Sequence, residues 1–324
     1  MEKKGNLMSY RSDIKVIDAT LRDGGLCNDF YFTDDFVKAL YETNVKAGID
    51  YMEFGYKADR DIFSESEFGK WKFCKDEDIR EIVGDNDTGM KIAVMADVGR
   101  CNYKRDIIPK SDSPIDMIRI ATYLHTIPKA IEMIEYCNKM GYETTCNIMA
   151  ISTAKTEDID SALDMLAETS VKAIYLVDSY GALYPEQIDD IIGKYLKWGD
   201  RLDKMVGVHA HNNQQLAFAN TIEALSLGAS LLDATVCGMG RGAGNCASEL
   251  LIGFLRNPKY HLTPILKFIE NYMLDLKNSG VKWGYDIPYF CTGRLNLHPR
   301  SAIDAVKDDR TDYAYFNSTL MDRD

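Results

Sequence analysis

The chain has no uninterrupted apolar run of the roughly 18–20 residues that a membrane-spanning helix needs, so none is expected. Its first residues, MEKKGNLMSYR, are polar and lack the apolar core of a signal peptide. Positive charge is scarce: 38 Lys and Arg face 50 Asp and Glu, a net charge of −12. That balance argues against nucleic acid or an anionic membrane as the main partner, though a small anionic substrate can still find a locally cationic site. None of the eight cysteines forms a C-x-x-C pair. This points away from a structural zinc or a disulfide framework and towards reduced thiols in a cytoplasmic protein. Histidine is rare as well, with only five: His125, His209, His211, His261 and His298. Two of those five fall within three residues of each other.

What is present is a 324-residue chain, 46% hydrophobic, with material for a large core. Eight short apolar runs recur along it: 14–20, 49–56, 91–97, 116–122, 144–150, 173–179, 205–211 and 231–236. Amphipathic stretches such as 34–48, 126–141 and 185–199 lie between them, and Gly48, Gly141, Gly199 and Gly228 stand where left-handed helix caps would fall. Near-continuous apolar strands, each followed by a helix, predict a parallel sheet covered on its faces. Eight such units in a row predict a closed (β/α)8 TIM barrel, with a doubly wound sheet as the alternative. The expected barrel spans 14–258. The rhythm then stops, and 259–324 reads as a mainly helical C-terminal extension that caps the barrel or forms an interface.

In such barrels the chemistry gathers where the strands end. The first run ends in TLRDGG, bringing Arg22 and Asp23; the second carries Glu53, the fifth Asn147, and the sixth Asp178 with Tyr180. The seventh ends in HAHNN. Alternation along a strand puts His209 and His211 on one face, and two neutral imidazoles with Asp23 would make a three-ligand site open to water. Two polar residues at a strand end are the plainer alternative. The eighth run leads into CGMGRGAGN, residues 237–245. This glycine-rich loop superficially matches a dinucleotide turn, but it follows the last strand, whereas that fingerprint opens its βαβ unit. It remains suited to bringing backbone amides, including that of Gly240, close to an anion.

"VIDATLRDGG" together with "GVHAHNNQQLAFANTIEALSLGASLLDATVCGMGRGAGNCASELLI" resembles the metal-dependent pyruvate aldolase and Claisen-synthase superfamily. That superfamily includes 4-hydroxy-2-oxovalerate aldolase, hydroxymethylglutaryl-CoA lyase, and isopropylmalate and homocitrate synthases. The resemblance implies a TIM barrel whose divalent metal is held by Asp23, His209 and His211, with Asn245 where some members add a fourth ligand. Mn²⁺ or Mg²⁺ is the expected ion and Zn²⁺ the alternative. It further implies that Arg22 stabilises the enolate of pyruvate or a related compound, while the metal polarises a 2-oxo acid.

HAHNN and GMGRGAGN are closer to the hydroxy-oxovalerate aldolases than to the synthases, which tend to read H-x-H-N-D. The cysteine loop of the lyase branch has no match, because Cys237 lies too early in its loop. In one respect the chain departs from the aldolases: the histidine they carry three residues after the metal Asp is here Leu26, which cannot move a proton. Candidates for that role are Tyr289 in GYDIPYF, which resembles a C-terminal tyrosine of those aldolases, and His125 and Tyr180 at the rim. Glu53 would orient Arg22 or act directly. The implied reactants are a 2-oxo acid and an aldehyde. An acyl-CoA-dependent synthase and a non-catalytic metabolite-binding subunit are the competing readings. The resemblance also implies a contact of the extension with an aldehyde dehydrogenase or a second copy of the chain.

Overall fold

The computed structural model describes residues 11–322. Eight strands, β1 Lys15–Asp18, β2 Tyr51–Tyr56, β3 Lys91–Asp97, β4 Met117–Thr122, β5 Glu143–Ile148, β6 Ala173–Asp178, β7 Met205–Ala210 and β8 Leu231–Ala234, pair in sequence order into a closed barrel. Every pairing is parallel, and β1 closes on β8 with Ile17 opposite Asp233. The expected TIM barrel is therefore the fold.

The outer layer is α1 Asp34–Ala47, α2 Asp76–Val83, α3 Ile127–Lys139, α4 Thr156–Ala167, α5 Pro185–Leu202, α6 Ala217–Leu227 and α7 Ser248–Phe254. Between β3 and β4 only short turns intervene, so one crossover lacks a full helix. α1 begins where the Thr33 hydroxyl accepts from the Phe36 amide at 3.2 Å, and it stops at Gly48, whose φ is +76°. A Cβ at Gly48 would come within 2.0 Å of the Lys259 carbonyl, so both the turn and the close approach require glycine there. Gly199 is not a cap, contrary to expectation: α5 runs on to Leu202, and Asp203 takes the left-handed conformation at φ +54°. Gly199 instead leaves room for the Lys204 carbonyl, which an added Cβ would meet at 2.6 Å.

Strand alternation divides the core in two. Residues such as Val16, Met52, Val94, Ile118, Ile174 and Leu232 face out and pack under the helices, while Ile17, Tyr51, Met117, Tyr175 and Leu231 fill the barrel interior. Tyr175 can lie across that interior because its neighbour in register is Gly207, where a Cβ would strike the ring at 2.5 Å. Above Tyr175 the filling turns from apolar to charged, with Glu53, Arg119, Asp233 and His209 all buried.

The extension is helical, as expected: α8 Leu262–Phe268 and α9 Leu274–Asn278 are joined by a wide helical turn, followed by α10 Ile287–Arg294, α11 Arg300–Lys307 and α12 Tyr313–Met321. α8 packs on α1, with the Phe268 ring 5.1 Å from that of Phe36. α10 to α12 bury Tyr289, Ala302, Phe316 and Leu320 in a cluster of their own, together with Ala243 of the β8 loop. No helix among the described residues is long and apolar enough to cross a membrane.

Candidate metal centre and active site

Asp23 sits on a helical turn, Thr20–Gly24, directly after β1; His209 is on β7 and His211 just beyond it. One ligand atom from each of these three buried residues falls within 4.8 Å of the others. The two imidazole rings are 5.1 Å apart and nearly perpendicular, and His211 Nδ1 is 3.9 Å from Asp23 Oδ2. Asn245 arrives from the glycine-rich loop, its amide nitrogen donating to Asp23 Oδ2 and, at 3.2 Å, to the Met239 carbonyl. Gly240 admits this approach, since a Cβ there would lie 2.1 Å from Asn245 Nδ2 and 2.5 Å from Asp23 Oδ2.

Two atoms of this group are buried without any partner: His209 Nε2 and Asn245 Oδ1. Buried polar atoms are normally satisfied, and these two are a lone-pair nitrogen and a carbonyl oxygen beside a carboxylate. The His209 tautomer follows from its other nitrogen, because Nδ1 lies 2.9 Å from the Asp233 carboxylate and donates to it, leaving the Nε2 lone pair free. A carboxylate behind a ligating imidazole is the arrangement found around metal-binding histidines. The donor set, one carboxylate, two imidazoles and an amide, fits a divalent cation.

Beneath these residues runs a chain of alternating charge. Asp23 Oδ1 accepts from Arg22 Nη1 at 2.8 Å, and Arg22 Nε donates to Glu53 Oε2 at 2.8 Å. The same Glu53 oxygen accepts from Arg119 Nη1 at 2.8 Å, and Arg119 Nη2 donates to Asp233 Oδ2 at 2.7 Å. Asp233 then reaches His209. Glu53 and Arg119 are 0% exposed, so neither charge is tolerable alone. The Arg119 guanidinium also rests on the Tyr175 ring, 4.5 Å from its centre.

Protonation states follow from this setting. Burial pushes the Asp23 carboxyl up, but the adjoining Arg22 guanidinium more than offsets it and holds Asp23 well below the usual carboxylate range. Burial drives His211 down to about 3, so it is neutral at pH 7, and we assign the ionised Asp23 to its pairing with Arg22. Burial also raises Asp233, yet Arg119 outweighs it and the group stays ionised. A neutral His211 imidazole facing an ionised carboxylate is the state a metal requires.

A cavity of about 60 Å³ opens on this group, lined by Arg22, Asp23, Leu26, Tyr56, Asn147, Ser179, His209, His211 and Arg241 among others. A larger groove of about 400 Å³ lies next door and shares Met149 with it, but the charged groups converge on the smaller one.

Of the residues singled out in the sequence, Arg22, Asp23, Glu53, His209, His211 and Asn245 meet at this mouth, with Asn147 in the cavity wall and Gly240 as the close approach. Others stand apart. The Asp178 carboxylate is spent on the backbone amides of Ala182 and Leu183, at 3.0 and 3.2 Å, and burial pushes it up to about 6; its neighbour Ser179 lines the cavity instead. His125 is exposed, stacked on Tyr123, and lines the neighbouring groove. Tyr180 meets the ring of His298 edge-on, 5.6 Å away. Tyr289 is buried among the last helices, close to the loop at Gly242. Leu26, where an aldolase-type base would stand, does line the cavity. Arg119, Asp233, Tyr56 and Arg241 were not foreseen. The available signal was a charged residue inside each of two apolar runs, MIRIAT and LLDA, at a position that strand alternation turns inward.

Fold and site together define a parallel-barrel protein with an Asp/His/His group of metal-binding type at the carboxyl ends of its strands. The chain belongs to the HMGL-like family, whose model matches residues 13–270. It is similar to 4-hydroxy-2-oxovalerate aldolase of Pelotomaculum thermopropionicum, 31% identical over 311 residues that cover 90% of this chain and 89% of that protein. It is also similar to oxaloacetate decarboxylase of Mycobacterium tuberculosis, 28% identical over 77% of this chain and 72% of that one. A solved N-terminal domain from Bacteroides vulgatus superposes with a TM-score of 0.78 at 28% identity, covering 90% of this chain and 96% of that one. HMG-CoA lyase of Bacillus subtilis, at 16% identity and a TM-score of 0.62 over 84% of this chain and 96% of that one, shares the fold.

Proposed function

We propose that this chain is a divalent-metal-dependent carbon–carbon lyase of the 4-hydroxy-2-oxovalerate aldolase type, acting beside the carbonyl of a 2-oxo acid. The observation that carries the proposal is the convergence of Asp23, His209 and His211 on one small cavity, with His209 Nε2 buried and unpartnered and Arg22 alongside. Relatives named as aldolases and as a decarboxylase of a 2-oxo acid support the same chemistry.

Asp23, His209 and His211 would hold the ion, with Asn245 as fourth ligand; Mn²⁺ or Mg²⁺ suits the oxygen-rich part of the set and Zn²⁺ the imidazoles. When bound, the metal supplies Lewis-acid polarisation of the 2-oxo group. The protein's own part begins with Arg22. Glu53 and Asp23 fix two edges of its guanidinium, so it faces the cavity in one orientation and stabilises negative charge that develops on the substrate oxygen. Glu53 thereby acts as a positioning residue, since its Oε2 is committed to both Arg22 and Arg119.

Leu26 supplies no proton acceptor, so proton transfer falls to other groups at the mouth. Tyr56 lines the cavity, and burial holds its phenol well above the usual range. Tyr289, outside the cavity lining but packed against the Gly242 loop that borders it, has its phenol pushed up to about 12 by burial and would act only through a shift of that loop. Both remain protonated at neutral pH and are suited to donating a proton to an enolate. Asn147, in the same wall, would hydrogen-bond the substrate. Aromatic side chains exposed on the extension, Tyr285, Phe290 and Tyr315, support a contact with an aldehyde dehydrogenase or a second copy.

The test is release of pyruvate from 4-hydroxy-2-oxovalerate, followed with lactate dehydrogenase. Mn²⁺-loaded protein should release it and protein treated with chelator should not. Thiol release from acetyl-CoA in the presence of a 2-oxo acid, with no pyruvate from the hydroxy acid, would overturn the reading in favour of a synthase.

A further inference from the structure

The arginines at the barrel mouth are not equivalent. Arg22 and Arg119 are both committed to carboxylates. Arg241, in the loop after β8, makes no ion pair with a described residue. It donates from Nη2 to the Ser179 carbonyl at 2.7 Å, and its Nε is buried with no partner at all. Its side chain nevertheless lines the cavity that contains Arg22, Asp23 and His211.

The loop holds it there. Gly242 and Gly244 adopt φ of +69° and +85°, and a Cβ at Gly244 would come within 1.9 Å of the Gly238 carbonyl. The bond to Ser179 carries Arg241 across to the end of β6, whereas Arg22 is tied to Glu53 on β2. The two cations are thus anchored to strands on opposite sides of the barrel, β2 and β6, and both line the cavity of the proposed ligands. Arg241 is only partly buried and its charge reaches Asp23 without forming an ion pair, but its Nε–H is withdrawn from water and unsatisfied, and an anionic ligand in the cavity would satisfy it through a charge-assisted hydrogen bond.

We propose that Arg241 receives a second anionic group of the substrate, so that the acid cleaved here is a compact 4-hydroxy-2-oxo dicarboxylate rather than a monocarboxylate. The proposal rests on the lyase reading above. Its simplest substrate is 4-hydroxy-2-oxoglutarate. Cleavage breaks the C3–C4 bond: the C4 hydroxyl gives up its proton to water at the cavity mouth and becomes the aldehyde oxygen of glyoxylate, while the bonding pair passes to C3 and the C2 oxygen as an enolate. A proton returned to C3 gives pyruvate, and no oxidant or reductant is involved. The aldehyde product is then itself an anion, matched to the charge of Arg241.

The experiment compares kcat/KM for 4-hydroxy-2-oxoglutarate and 4-hydroxy-2-oxovalerate in the Mn²⁺-loaded wild type, R241Q and R241K, with metal content and melting temperature measured for each. The wild type should prefer the diacid at least about tenfold, and R241Q should cut that preference by roughly 10- to 100-fold, mostly through KM, at unchanged metal content. R241K, which keeps the charge and loses the fork, should retain part of it. Equal losses on both substrates would mean that Arg241 holds the carboxylate they share. That result, or a wild type that favours the monoacid, overturns the proposal and leaves the lyase reading standing. Pyruvate release from neither substrate overturns the lyase reading and this proposal with it.

Discussion

Asp233 touches none of the atoms proposed to hold the metal, yet its bond to His209 Nδ1 makes it the candidate for orienting one of the proposed ligands. Its Oδ2 accepts from His209 Nδ1 at 2.9 Å and from Arg119 Nη2 at 2.7 Å. Asp233→Asn keeps the shape and removes the charge. The imidazole then loses its anionic acceptor, the tautomer with a free Nε2 is no longer enforced, and Arg119 is left with Glu53 alone. Loss of such a supporting carboxylate weakens metal binding about 10- to 100-fold, or roughly 1.4–2.8 kcal/mol. Mn²⁺ titration followed by electron paramagnetic resonance reads the affinity directly. The same titration in a His209→Ala background decides the cause. If Asp233 acts through His209, Asp233→Asn adds little once that imidazole is gone, and the cycle shows a coupling of at least about 1 kcal/mol. Equal losses in both backgrounds, or an unchanged affinity in the single variant, would refute the orientation argument.

Further expectations concern neighbouring parts of the same assembly. Arg22→Lys preserves the charge but not the fork between Glu53 and Asp23, so metal content should stay at the wild-type level while turnover falls about 10²- to 10³-fold; loss of metal would show that the roles are wrongly divided. Because His211 is depressed to about 3, the folded apoprotein keeps it neutral while the unfolded chain protonates it below its ordinary value of 6.5. Its contribution is intact above that value and is lost as pH falls, by about 1 kcal/mol between pH 6.5 and 5.5. Urea unfolding of wild type and His211→Asn in chelator should show that difference, and parallel pH profiles would contradict it. Gly207→Ala places a methyl 2.5 Å from the Tyr175 ring, so it should cost about 1–3 kcal/mol of stability and disturb Arg119 above it. An unchanged melting temperature would mean that the interior is looser than drawn.

The barrel and the heart of its site were legible because both depend on periodicity. HAHNN and TLRDGG lie at the ends of strands, and alternation by two puts His209 and His211 on one inward face without knowledge of the rest of the fold. The same rule, applied within the strands, would have turned Arg119 inward with Met117, and Asp233 with Leu231. What it does not tell is that two charges inside apolar runs 114 residues apart neutralise each other across the barrel. Beyond a strand end the rule fails. Asp178 and Ser179 both fall at the end of β6, but the chain turns there: Ser179 lines the cavity, and the Asp178 carboxylate folds back onto the amides of its own loop. Gly199 read as a helix cap because glycine often is one; here the constraint is a backbone carbonyl from beyond the helix, a tertiary contact invisible in local sequence. Arg241 sat unremarked in a glycine-rich loop because its meaning lies in what it fails to pair with.

Asp23, His209 and His211 are proposed to serve enolate chemistry on a 2-oxo acid, and exchange of the pyruvate methyl protons with deuterium oxide, followed by NMR, tests this without knowledge of the second reactant. Exchange catalysed by the Mn²⁺-loaded protein, abolished by chelator and by Asp23→Ala, is the predicted result. No exchange from fully metal-loaded protein, or exchange indifferent to chelator and to Asp23, would contradict the account.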